Sequence, residues 1–238
     1  MMVARFITGQ TEMRRDWELT ITADMVLQRQ GANAGKVRAR QSQLVTLAER
    51  AIAEGQRLIQ PQVAYQVLGI QEVQSALVVL KNGQQLRGVT VGQKLIGAQL
   101  VIGVIATVGA RIEREILRAT EEKTAFGLAL DGYANAAVGA LIVAFRRYLA
   151  GLAESASLRI TTPLYPGTHG WELGAAQTEL FRLVNGALIG VKLTSSSLMT
   201  PCKSVSMLIG AGAKVEPTDD SCDECDAAAR CRYRSSAT

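Results

Sequence analysis

The alternation of apolar and polar positions divides the chain into two zones. In the first, Trp17, Leu19 and Ile21 alternate with polar residues, the pattern of a short strand. Thr22 stands at an N-cap position before a short helix over 23–30, which Gly31 would stop. Over 35–55, Val45, Leu47, Ala48, Ala51 and Ile52 form one apolar stripe, so this stretch predicts an amphipathic helix ending at Gly55. Apolar runs at 61–70, 75–80 and 85–89 surround Asn82-Gly83, a pair that tolerates positive φ. They predict a small antiparallel patch. A short helix over 91–96 follows.

The second zone begins with an almost unbroken β-branched run over 99–107, the mark of a strand covered on both faces. After the Val108-Gly109 turn comes a charged helix over 110–122, with Ile112, Ile116 and Leu117 expected inward. An Ala-rich helix over 124–153 follows, then a strand over 157–162. A helix over 173–185 is expected to turn Leu173, Ala176, Leu180, Leu183 and Val184 inward; strands over 188–193 and 205–210 complete the zone. Residues 1–16 read as an irregular charged lead-in. The pattern therefore predicts a mixed α/β chain of the α+β class. We divide it into an α+β portion at 1–87, an α/β portion at 88–215 and a cysteine-bearing tail at 216–238, with one continuous core as the alternative to the boundary at Arg87–Gly88.

Apolar residues make up 48% of the 238, enough for a sizeable core. The stretch 128–145 is the most apolar but carries Asp131 and Asn135, so a buried helix is expected and no membrane span. The N-terminus lacks the apolar core of a secretory signal, and a cytoplasmic protein is expected. The formal net charge is +5, partly from Arg230, Arg232 and Arg234. No nucleic-acid motif accompanies it, so a nucleic-acid stripe is not implied, and a basic rim for an acidic protein partner is as plausible.

Candidate chemistry gathers late in the chain. The loop from Thr161 to Trp171 holds Pro163, Pro166, Gly167 and Gly170 and has no apolar period. Long polar loops held between regular elements are where binding groups collect. Tyr165 and Trp171 could stack on a planar ligand or pack beneath the loop. The lone His169 has no triad partner in the sequence. Ser195, Ser196 and Ser197 could bind an anion, though capping of backbone groups is the commoner use. Asp131, costly to bury unpaired, either caps a helix or faces a cleft. In the tail, Cys222, Cys225 and Cys231 fall within ten residues, with Cys202 as a possible fourth ligand. Several converging thiolates suit zinc or an iron–sulfur cluster.

Three segments carry a resemblance: Pro166-Gly167 with Trp171, Ile189-Gly190-Val191-Lys192-Leu193-Thr194, and Met199-Thr200-Pro201-Cys202-Lys203-Ser204-Val205-Ser206. Together they resemble the activation (reactivation) domain of cobalamin-dependent methionine synthase, and more closely its short stand-alone homologues in corrinoid methyltransferase systems. The resemblance implies a twisted, largely antiparallel sheet flanked by helices. It implies binding of S-adenosylmethionine and docking on a corrinoid (cobalamin-binding) protein whose inactive cofactor is reduced and remethylated. It also implies a ligand face built from Asp131, Tyr165, Pro166, Gly167, Thr168, Ser197 and Met199. This chain departs from the family pattern at Pro163, Tyr165, Thr168 and Gly139. A different expectation is a non-enzymatic zinc or iron–sulfur module that docks on a corrinoid or redox partner. Self-association is possible in either case.

Overall fold

The structure, a computed structural model, describes residues 8–40 and 42–215. Its frame is one seven-stranded sheet in the order β4-β3-β2-β5-β9-β6, with β1 also paired to β2. The strands are β1 (Glu12–Arg14), β2 (Gln62–Val73), β3 (Leu77–Leu80), β4 (Gln85–Arg87), β5 (Leu100–Thr107), β6 (Arg159–Ile160) and β9 (Ser204–Gly212). Every pairing is antiparallel. The helices are α1 (Ala23–Arg29), α2 (Ala34–Arg40), α3 (Ser42–Gly55), α4 (Val89–Lys94), α5 (Arg111–Glu122), α6 (Thr124–Ser155) and α7 (Leu173–Leu183).

The period-2 alternation of the central strands explains the layering. Val63, Tyr65 and Val67 of β2, with Ile102 and Val104 of β5 and Met207 and Ile209 of β9, face one core under α1, α3, α5 and α6. Ala64, Val101, Ile105 and Leu208 face the other core, with α4, α7 and the β3–β4 hairpin. All eight residues of β5 are buried, as its β-branched run requires. Because β2 pairs with β5 along 62–69, the sheet joins the N-terminal and C-terminal portions.

Most predicted elements appear where the pattern put them. Thr22 caps α1, its Oγ1 accepting from the Met25 N–H, and the Asn82-Gly83 turn joins β3 to β4 with Gly83 at φ 83°.

Several elements differ. Residues 17–21 form no strand. Their alternation is real, since Trp17, Leu19 and Ile21 pack on the first core, but Trp17 is held edge-on to Phe145 and Tyr148 rather than by a ladder. The strand lies earlier, at β1, on the exposed edge of β2, where charged side chains are tolerated. Over the stretch expected as a helix at 35–55, the described residues are helical on either side of position 41, as α2 and α3. Residues 186–189 form a 3-10 turn, capped by Asn185 and closed by Gly190 at φ 71°, so only Lys192–Leu193 (β7) remains extended. Leu117 is 67% exposed and Leu173 40% exposed, each lying outside its helix's buried stripe.

Candidate functional site

One predicted site residue, Asp131, lies where β5 leaves the sheet and β9 enters it. Thr107 and Ser204 are register partners, and their hydroxyls join at 2.9 Å. The Thr107 hydroxyl also accepts the Gly109 N–H at 3.0 Å and donates to the Lys203 carbonyl at 3.3 Å. That carbonyl accepts the Val108 N–H as well, at 3.1 Å. On its other side, the Lys203 N–H donates to Glu113 Oε1, in the first turn of α5, at 2.6 Å. The backbone of Lys203 is thus clamped on both sides.

The Lys203 side chain runs to α6. Its Nζ lies 2.6 Å from Asp131 Oδ1 and 2.9 Å from Asn135 Oδ1. Asn135 closes the triangle by donating Nδ2–H to Asp131 Oδ2 at 2.9 Å. Asp131 and Asn135 are one turn apart, so they share a helix face. The Lys203 side chain is 14% exposed and that of Asp131 39%. Since α6 starts at Thr124, Asp131 is no cap; it lies inside the helix and is paired. Cys202 is exposed next door. Partial burial of its sulfur and the neighbouring Glu113 carboxylate push its thiol pKa up, which favours the protonated thiol.

The Pro-Gly loop follows a stretch that runs along β9 in the direction of its start. Residues 160–164 run antiparallel to β9, from Ile160 opposite Ala211 to Leu164 opposite Leu208, so continuing the chain leads towards Ser204. Two tight turns then fold the loop. The Tyr165 carbonyl accepts from the Thr168 N–H at 3.2 Å and its hydroxyl at 2.6 Å; the Gly167 N–H donates to the Trp171 carbonyl at 3.0 Å. Gly167, at φ 88°, occupies the left-handed region. Trp171 is buried in the second core, so it packs beneath the loop and is not free to stack on a ligand. His169 is exposed, and its carbonyl accepts the Thr90 hydroxyl.

The hydroxyl-rich segment is a hairpin of β7 (Lys192–Leu193) and β8 (Met199–Thr200). Its serines and threonine mostly serve the turn. Thr194 Oγ1 accepts the Leu198 N–H at 3.1 Å and meets Ser196 Oγ at 3.0 Å, and Ser197 sits at φ 59°. Met199 packs on the second core. The hairpin tip reaches the start of α7: a Cβ on Gly174 would lie 3.5 Å from Ser197 Oγ, and one on Gly167 would lie 3.7 Å from Leu173 Cδ1. Gly167, Leu173, Gly174 and Ser197 therefore converge. The α7 N-terminus itself is filled by its own cap, with Glu172 accepting the Gly174 and Ala175 N–H groups at 2.8 Å each. These bonds hold the Glu172 carboxyl below the usual range.

Asp131 thus lies beside the β9 start, and Tyr165, Pro166, Gly167 and Thr168 form the loop that follows the Leu164–Leu208 bridge. Ser197 and Met199 belong to the hairpin that leads into Lys203. Sequence reasoning left out Lys203, Asn135 and Glu113 as site residues. The signal for Lys203 was its place beside a buried strand, where an unpaired ammonium would be costly. Among the described residues no group of three or more His, Cys, Asp or Glu side chains could hold a metal. Cys222, Cys225 and Cys231 lie outside the described residues.

No protein-family model and no curated protein matches the chain. A solved structure does: the crystal structure of the MetH reactivation domain bound to AdoHcy. The TM-score is 0.57 at 10% sequence identity, over 89% of this chain and 82% of that one. The chain has the fold of that reactivation domain.

Proposed function

We propose that the protein is an accessory factor for reactivation of a corrinoid cofactor carried by a partner protein, with S-adenosylmethionine as its ligand and methyl source. The observation that carries this reading is the fold. It follows the MetH reactivation domain over 89% of the chain, and that domain was solved with AdoHcy, the demethylated form of the ligand. The placement of the motif residues supports it. Gly167 and the Ser197 hairpin tip both approach the start of α7, and that hairpin leads into Lys203, which pairs with Asp131.

In this reading the ligand supplies an electrophilic methyl group and the partner supplies the corrinoid that accepts it. The chain's own residues bind and orient. Asp131 faces the amino-acid end of the ligand, the Tyr165–Thr168 loop lies against its nucleoside, and the hairpin at Ser197 and Met199 closes one side. The proposal extends to the tail, where Cys222, Cys225 and Cys231, with Cys202, would hold an iron–sulfur cluster or zinc. Its support is the thiol spacing alone. Cys202 would have to lose its proton on metal binding.

Two measurements test the reading. Calorimetric titration with S-adenosylmethionine and S-adenosylhomocysteine should show saturable binding. With a corrinoid protein and a one-electron reductant, the protein should speed conversion of cob(II)alamin to methylcobalamin. Absence of both effects would reject it. For the tail, protein purified anaerobically should contain iron and sulfide, or zinc, and should lose it when Cys222 and Cys225 are replaced by serine. Metal-free protein with all four thiols reactive would remove that part.

A further inference from the structure

The strongest unexplained feature of the site is that its carboxylate is already answered. Asp131 has an ammonium 2.6 Å from Oδ1 and an amide on Oδ2, both supplied by the chain itself. Asn135 binds both partners, so the three side chains form a closed set. A cation arriving at Asp131 meets a filled position.

We propose that Lys203 is a specificity-determining residue whose ammonium occupies the cation position on Asp131, so that a ligand ammonium binds there only by displacing it. The proposal rests on the reading above, in which Asp131 faces the amino-acid end of the ligand. Three observations carry it. The pair is short and Lys203 is mostly shielded, so competition with it costs more than competition with a hydrated surface lysine. The Lys203 backbone is tied to Glu113 on one side and to Val108 and Thr107 on the other, so the hairpin cannot withdraw the lysine as a unit. Displacement has to occur by rotation of the side chain alone. Asp131 is the more exposed partner, so water can reach it when Lys203 is removed.

The consequence is a changed ligand preference. The ammonium of S-adenosylhomocysteine should contribute little to binding, because what it gains at Asp131 is lost from Lys203. An analogue lacking only that ammonium should bind about as well. Lys203→Met keeps the length and apolar stem of the side chain while emptying the position.

The test is calorimetry with two probes on two proteins. The probes are S-adenosylhomocysteine and its deaminated analogue, which keeps the carboxylate. Wild type should bind both within about threefold of each other. Lys203→Met should bind S-adenosylhomocysteine tighter on the order of tenfold, the factor that about 1.4 kcal/mol produces, with the deaminated probe unchanged. A wild type that prefers S-adenosylhomocysteine by tenfold or more would overturn the proposal without any variant. So would a folded Lys203→Met protein with unchanged or weaker S-adenosylhomocysteine binding; weaker binding would make Lys203 a direct ligand contact. Failure of both probes on both proteins would overturn the ligand reading along with it, whereas a failure confined to the ratios removes only the role of Lys203.

Discussion

Glu179 is buried on α7, where its Oε2 accepts the Arg87 N–H at 3.1 Å while the Arg87 guanidinium stays 3.9 Å away and exposed. Burial pushes its pKa up, and this outweighs the downward pull of the Arg87 N–H, the Trp171 indole and the two arginines, Arg87 and Arg182. The indole N–H makes no hydrogen bond of ordinary geometry, so its influence on Glu179 is weak. A carboxyl raised in the fold is easier to ionise in the unfolded chain. Its contribution is therefore complete below the unfolded value and is lost as pH rises through the folded one. Glu179→Gln should equal or exceed wild type in stability at pH 7, with the difference shrinking as the pH is lowered through the carboxylate range. Glu179→Leu should be less stable than Glu179→Gln by roughly 1–3 kcal/mol, because the Arg87 N–H loses its acceptor. Urea unfolding at pH 4 and pH 7 separates the two effects. A wild type that gains on Glu179→Gln as pH rises would show that the arginines dominate. The same scale sets what was legible in the sequence. An acid within an apolar helix demands a partner, and that much could be read at Asp131. The partner is 72 positions away and arrives through β-pairing, which no local pattern encodes.

Elements were legible where one physical demand dominated. The β-branched run of β5 has to be covered on both faces, and it is. The stripe of α3 has to face a core, and Ala48 and Ala51 do. Legibility failed where apolar alternation arises without a ladder, as at Trp17 to Ile21, and where glycine and a cap override it, as at Asn185 to Gly190. Contacts between elements were also hidden. Gly55 ends α3, as the sequence suggests, but it is also where α3 seats α6: a Cβ there would lie 2.3 Å from the ring of Tyr133, itself 1% exposed. Gly55→Ala should therefore destabilise by roughly 1–3 kcal/mol, the range for overpacking a filled core. Gly151, exposed on α6 with nothing within 4 Å of its would-be Cβ, supplies the contrast. Gly151→Ala should stabilise by roughly 0.5–1 kcal/mol through helix propensity. Chemical denaturation of the two variants checks both signs, and a neutral Gly55→Ala would mean that Tyr133 can move.

At the scale of the molecule, α6 is the element most open to misreading. It is long and apolar enough to cross a bilayer, yet half of its most apolar window is buried, against α1, α3, α5 and the sheet. Its apolarity serves two neighbours at once, the sheet beneath and the helices beside it, and its small residues let them approach. One turn of its surface, Asp131 to Asn135, binds Lys203 beside the start of β9. The candidate ligand face therefore draws on α5, α6, the 163–171 loop, the hairpin and the start of β9, segments far apart in the chain. A ligand held between such segments binds the folded chain and not the unfolded one, so it should stabilise the whole molecule cooperatively. At a hundred times its Kd, S-adenosylhomocysteine should add about 2.7 kcal/mol. For a domain of this size each kcal/mol moves the melting temperature by about 2–4 °C, so the rise should be roughly 5–10 °C. The same concentration of adenosine, which lacks the amino-acid arm, separates the two ends of the site. A full shift with adenosine would assign the binding energy to the Pro166-Gly167 loop and leave the Asp131 end with no share. No shift with either compound, across a concentration series, would remove the ligand from the proposed function.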